Sequence, residues 1–272
     1  MASADPMHQF LIHRYLELPS FQIGGLTFDM SITNSVLMML VAAVVLSGIL
    51  AAASKGALVP GRVQAVGEAF YGLIDGVLVT PIIGHKGRPY IPFIMTLFMF
   101  IFAMNMIGVV GALGHVVGLN WTFTPTSQLA VTAAMAVLTF LSVIVIGIIK
   151  NGFGIWRLFV PSGLPWPMVP IMAIVEFVSF AVRPLTLSMR LFGNIVGGHV
   201  VLFIFAGFII SLGAVGLHGG LSSLAFLGSA ASLAMVVILS ALELLVAFLQ
   251  AFVFAALATV YLNEVVNLGH AH

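Results

Sequence analysis

Apolar residues run along this chain in long unbroken stretches, and polar residues interrupt them in only a few narrow places. Residues 31–53 carry no charge, and a helix rising about 1.5 Å per residue covers the roughly 30 Å of a bilayer's hydrocarbon over that length. Residues 91–113 and 128–149 repeat the pattern, so three membrane-spanning helices are predicted. Between the first two, Val63, Val66, Phe70, Leu73, Ile74 and Val77 recur at helical spacing opposite Gln64, Glu68 and Asp75. That alternation predicts an amphipathic helix over 62–80, lying on the membrane or a partner, or a plain surface helix over its own loop. Pro81 and Pro89 are expected to delimit the segment between this helix and the second span.

The last two segments exceed a simple span. Between Gly228 and Gly269 stand 40 residues without Gly or Pro. One helix of that length extends about 60 Å, twice the hydrocarbon thickness, so it must tilt steeply or protrude. Residues 169–213 are its partner, joined through 217–220. If the two run antiparallel and reverse near Gly220, equal counting sets Arg190 level with Gln250 and brings His199 within a few residues of Glu243. The fold expected is all-α and polytopic: five membrane-crossing helices plus an amphipathic surface helix, the last two crossings forming a long, steeply tilted helical hairpin.

Composition agrees, since 61% of the 272 residues are apolar and 6% charged, against about 25% charged in ordinary soluble domains. A net charge of +1 makes no electrostatic case for nucleic acid. Cysteine is absent and the eight histidines are scattered without ligand spacing, so neither a metal site nor a cofactor is expected. Segments 54–90 and 150–168 hold six of the nine Lys and Arg residues, whereas 114–127 and 214–221 hold none. Basic loops stay cytoplasmic, which puts the N-terminus outside and the C-terminus inside. The layout expected is an extracytoplasmic segment 1–30, a first span 31–53 doubling as insertion signal, and a cytoplasmic loop 54–90. A helical pair 91–149, a cytoplasmic loop 150–168 and the hairpin 169–267 come after it. Trp121 suits an interface position, and Asn105 suits helix packing.

Against this apolar background Glu176, Arg183 and Arg190 stand seven residues apart, on one helix face, with Ser179, Thr186 and Asn194 at the intermediate steps. An Arg at the bilayer centre costs about 2.5–3.5 kcal/mol on insertion scales, so such a stripe must meet protein or water. Arg183 precedes Pro184 and can instead reach the headgroups from near the surface. A second stripe of Ser229, Ser232, Ser240, Glu243, Ala247 and Gln250 lies on the final helix. A permanent cation beside a His/Glu pair suits proton translocation, because imidazole titrates near neutrality while Arg keeps its charge. No Gly-rich phosphate loop or nucleophile elbow argues for catalysis on a soluble substrate. A self-contained secondary transporter or cation/proton antiporter is the alternative, although no internal repeat is visible.

The string S-M-R-L-F-G-N-I-V-G-G-H at 188–199, with Glu243 and Gln250 in E-x6-Q followed by A-F-V-F and T-V-Y-L, resembles subunit a of F-type ATP synthases, the stator ion-channel subunit. The resemblance implies that Arg190 faces a mid-membrane carboxylate on each subunit of a rotor c-ring. His199 and Glu243 would line the outer half-channel, and Asn194 and Gln250 would hold Arg190 or water. Glu176 and Arg183 would line the inner exit or pair across the interface. His199 is nine residues from Arg190, half a turn off its face, so both cannot point at the rotor. The resemblance further implies a multi-pass protein of the bacterial inner membrane, bound by lipid and by peripheral stalk b-type subunits. Such a chain is no enzyme alone, the nucleotide chemistry lying on other subunits, and it takes no cofactor.

Overall fold

The computed structural model describes residues 14–16, 21–23, 26–28, 31–54, 60–116, 124–152, 154–155, 168–217 and 224–267. Expectations for Trp121, for most of the segment 1–30 and the loop 150–168, and for the turn at 218–220 lie outside the described residues.

Among the described residues seven α-helices succeed one another: α1 Asn34–Ala53, α2 Arg62–Leu73, α3 Thr80–Ile82, α4 Ile91–Val116, α5 Leu129–Asn151, α6 Val169–Gly216 and α7 Ala225–Val266. A π-helical stretch Ile74–Val79 joins α2 to α3, and a 3-10 helix His85–Tyr90 leads into α4. Among the described residues six helical segments are long and apolar enough to cross a membrane: Asn34–Ala53, Arg62–Ile82, His85–Gly111, Leu129–Asn151, Val169–Gly216 and Ala225–Val266. Five of them overlap the runs expected to cross, and the sixth covers the stretch read as an amphipathic helix, which length and composition also admit as a span.

Pro81 does not end that helix. The Thr80 amide bonds the Asp75 carbonyl, five residues back, and the chain continues helically through Pro81 to Ile82. The register slips where proline has no N–H to lose. The stop comes at Gly84, whose φ of 80° with ψ of −164° is a backbone conformation that essentially only glycine adopts.

The chain divides into two compact units, and α6 and α7 each contribute to both. One unit comprises Met1–Val44, Phe102–Gln128 and Leu191–Leu249. Here β1 (Arg14–Leu16) pairs antiparallel with β4 (Ile32–Thr33), and β2 (Phe21–Ile23) with β3 (Leu26–Phe28). The β2–β3 pair flanks Gly24-Gly25, a two-residue hairpin signal that reading 1–30 as a plain lead-in passes over. Ser35 Oγ donates to Gln128 Oε1 at 2.7 Å, and Asn105 Nδ2 to the Ala247 carbonyl at 3.2 Å. The latter is the helix-packing bond expected of an intramembrane Asn.

Within this unit α6 and α7 run antiparallel. Ser229 Oγ donates to the Ile209 carbonyl at 3.1 Å, Leu202 packs with Val236, and Gly216 meets Phe226. All three contacts join positions nearly equidistant from residue 220, because successive turns of two antiparallel helices can meet only in that order.

The other unit comprises Val45–Ile101, Leu129–Arg190 and Gln250–His272. Ile74, Leu78 and Val79 turn inward there, whereas Val63, Val66 and Val77 of the same apolar face remain exposed. Phe70 packs on Phe98 and Phe140 on Phe180, with ring centroids 5.8 and 4.5 Å apart. On α7 Ala251, Ala255 and Ala258 are fully buried, small residues that let helices approach closely. Gly147 of α5 lies directly against Val265, and Asn151 Nδ2 donates to the Val265 carbonyl at 2.7 Å.

Candidate ion pathway

In the first unit α6 buries Leu191, Ile195, His199, Leu202 and Ala206, the three- and four-residue spacing of a single helix face. Its contact with α7 places His199 Nε2 3.5 Å from Glu243 Oε1, the side chains being 2% and 5% exposed. Both residues were singled out from sequence, and the antiparallel register brings them together. Neither oxygen of the Glu243 carboxyl receives a hydrogen bond from a described residue. A buried carboxylate without donors is costly, whereas a proton held by either partner of the pair relieves the imbalance. A contact just beyond hydrogen-bond length needs only a small movement to close.

Glycine makes room for this arrangement. A Cβ on Gly198 would stand 2.8 Å from Glu243 Oε1, so the carboxyl rests where any larger residue would intrude. On α7, Ser232 and Ser240 turn their hydroxyls back to the carbonyls of Gly228 and Val236, at 2.9 and 2.6 Å. Ser229, by contrast, sends its hydroxyl across to α6.

In the second unit the two arginines of α6 are treated oppositely. Arg183 donates through Nη1 to Glu264 Oε2 and through Nη2 to Glu176 Oε1, the latter at 3.5 Å. Its guanidinium also lies over the rings of Phe180 and Tyr261, 5.5 and 4.9 Å from their centroids. Arg190 is exposed and makes no hydrogen bond or ion pair with any described residue. Ser179 and Thr186 on the same stripe are exposed as well, and Gln250 is buried on α7; Asn194, in the first unit, is exposed. Along this stripe the described residues leave Ser179, Thr186 and Arg190 uncovered, whereas Arg183 is tied to α7.

Sequence reasoning missed Glu264, Tyr261 and Gly198. Glu264 had a legible signal, a lone acid near the end of an apolar helix, 21 residues beyond Glu243. Tyr261 read only as part of the T-V-Y-L string, and nothing in the spacing marks Gly198 as lying against Glu243.

Long apolar helices that hold guanidinium, imidazole and carboxyl groups among their faces define a polytopic helical membrane protein of the kind that carries ion pathways. A model of the ATP synthase A chain family matches residues 35–263. The chain is 42% identical to ATP synthase subunit a of Rhizobium johnstonii over 268 residues, 98% of this chain and 99% of that one. It is 43% identical to ATP synthase subunit a of Maricaulis maris over 271 residues, 99% and 100% of the two chains. Against that of Rhodopseudomonas palustris the identity is 41% over 267 residues, covering 98% and 99%. The chain belongs to the ATP synthase subunit a family.

Proposed function

We propose that this chain is the stator of a rotary F-type ATP synthase, providing two proton half-channels against a c-ring and coupling proton flow to ring rotation. The observation that carries the reading is Arg190, a permanent cation on an uncovered helix face, with no acid of the described chain to neutralise it. Its counter-ion is a carboxyl on a passing rotor helix. A buried carboxyl holds its proton tightly, and an opposite charge within about 4–6 Å weakens that hold by about 1–3 pH units. Each rotor acid therefore gives up its proton toward the inner route on meeting Arg190, and takes a new one from the outer route after passing. Because Arg does not release its own proton, it keeps the two routes from joining directly.

His199 and Glu243 form the outer route, passing protons between imidazole, carboxyl and water to the ring. Gln250 and Asn194 offer hydrogen bonds to water along the pathway, and Glu176 borders the inner exit, while Arg183 relays no proton and only pairs with acids of its own chain. The chain crosses the bacterial inner membrane five times, with the N-terminus periplasmic and the C-terminus cytoplasmic. Helix Arg62–Ile82 lies along the cytoplasmic surface, a position supported by its three charged residues and its exposed Val63, Val66 and Val77. Peripheral stalk b-type subunits complete the stator.

The deciding experiment is Arg190→Lys in membranes containing the whole complex. Subunit assembly is expected to persist and proton-driven ATP synthesis to vanish; a variant that keeps most of its synthesis refutes the assignment. In liposomes the chain without a rotor should carry no proton current, and a current from it alone would mark a self-contained transporter.

A further inference from the structure

Arg183 and Arg190 share a face of α6, about 10.5 Å apart along its axis, yet one is tethered and the other bare. Glu264 reaches from α7 to bond Arg183 directly, whereas Glu176 lies at the 3.5 Å limit of a hydrogen bond. Phe180 and Tyr261 flank the same guanidinium, and its side chain is 17% exposed. Released, a long flexible Arg side chain at this position can swing onto the uncovered stripe occupied by Ser179, Thr186 and Arg190. A rotor carboxyl travelling past would then meet two cations instead of one. Opposite charges about 10 Å apart at an effective dielectric of about 20 attract enough to shift an equilibrium roughly tenfold. A second station of that strength would hold the ring back.

We infer that Glu264 is a positioning residue: it anchors Arg183 to α7 and off the rotor-facing stripe, so that Arg190 is the one cation a rotor acid encounters. This inference rests on the rotary reading proposed above. It assigns Glu264 no proton to carry, and it makes the harm of losing Glu264 depend on Arg183 being present.

That dependence is the test. ATP-driven proton pumping and proton-driven ATP synthesis are measured in inverted membrane vesicles holding the complete complex, with subunit content checked by immunoblot. Glu264→Gln, which keeps the shape and removes the charge, is expected to slow both about tenfold. Adding Arg183→Gln in the same chain is expected to bring the rates back to within about twofold of wild type, and Glu264→Asp to keep them near wild type. A merely structural latch predicts the reverse, because the double variant loses both halves of the bond. A double variant as slow as Glu264→Gln overturns the inference, as does a wild-type rate in Glu264→Gln. Loss of the chain from the membrane in both variants also overturns it. Arg190→Lys runs alongside: if it still synthesises ATP, the rotary reading itself fails, whereas a dead Arg190→Lys with an unrescued double variant removes only the role given to Glu264.

Discussion

Three glycines within six residues of α6 carry opposite expectations, and Gly198→Ala is the sharpest. An added Cβ would lie 2.8 Å from Glu243 Oε1, about 0.6 Å inside an ordinary contact. The obstacle is the tip of a side chain, so Glu243 yields by rotating, at about 0.5–1.5 kcal/mol for an off-rotamer angle. Replacing Gly by Ala inside a helix returns about 1 kcal/mol. Stability should therefore stay within about 0.5 kcal/mol of wild type, while the carboxyl leaves its place 3.5 Å from His199. Misplacing reacting groups by 1 Å can cost about a hundredfold, so a shift of about 0.6 Å should slow proton transfer roughly tenfold. At Gly193 and Gly197 an added Cβ meets no described residue within 4 Å. Alanine there should leave accumulation and melting intact, and should slow pumping only by intruding on the rotor. Dye-quenching assays of proton uptake in inverted vesicles, with melting of the detergent-extracted complex, read both effects. A Gly198→Ala complex that assembles and pumps at the wild-type rate would refute the reasoning, for the His199–Glu243 contact would then not govern flow.

Packing away from this pair should behave differently. At Gly147, which already touches Val265, Gly147→Leu is expected to cost about 1–3 kcal/mol through overpacking, seen as a lowered melting temperature; unchanged melting would contradict the close α5–α7 approach. Asn105→Leu removes one bond to the Ala247 carbonyl together with a buried carbonyl oxygen that no described residue satisfies. It should cost less than about 1 kcal/mol and leave pumping untouched, and a large loss of pumping would instead put Asn105 on the ion route.

Local physics accounts for the features legible along the chain. Uncharged runs long enough for a bilayer predict α1, α4 and α5, and the absence of Gly and Pro after Gly228 predicts the length of α7. Helical period alone put Arg190 and His199 on opposite faces of α6, and the structure has one exposed and the other buried. The 188–199 string and the E-x6-Q spacing sufficed for the family.

Which charge is satisfied and which is not became legible only in three dimensions. Arg183 and Arg190 look alike along the chain, two basic residues on one stripe, and the difference lies in Glu264 and Tyr261, 81 and 78 residues beyond Arg183. The helical period sets the direction in which a side chain leaves its own helix. It says nothing of what stands opposite, because that depends on the register and approach of a second helix, and both are settled by packing of the whole.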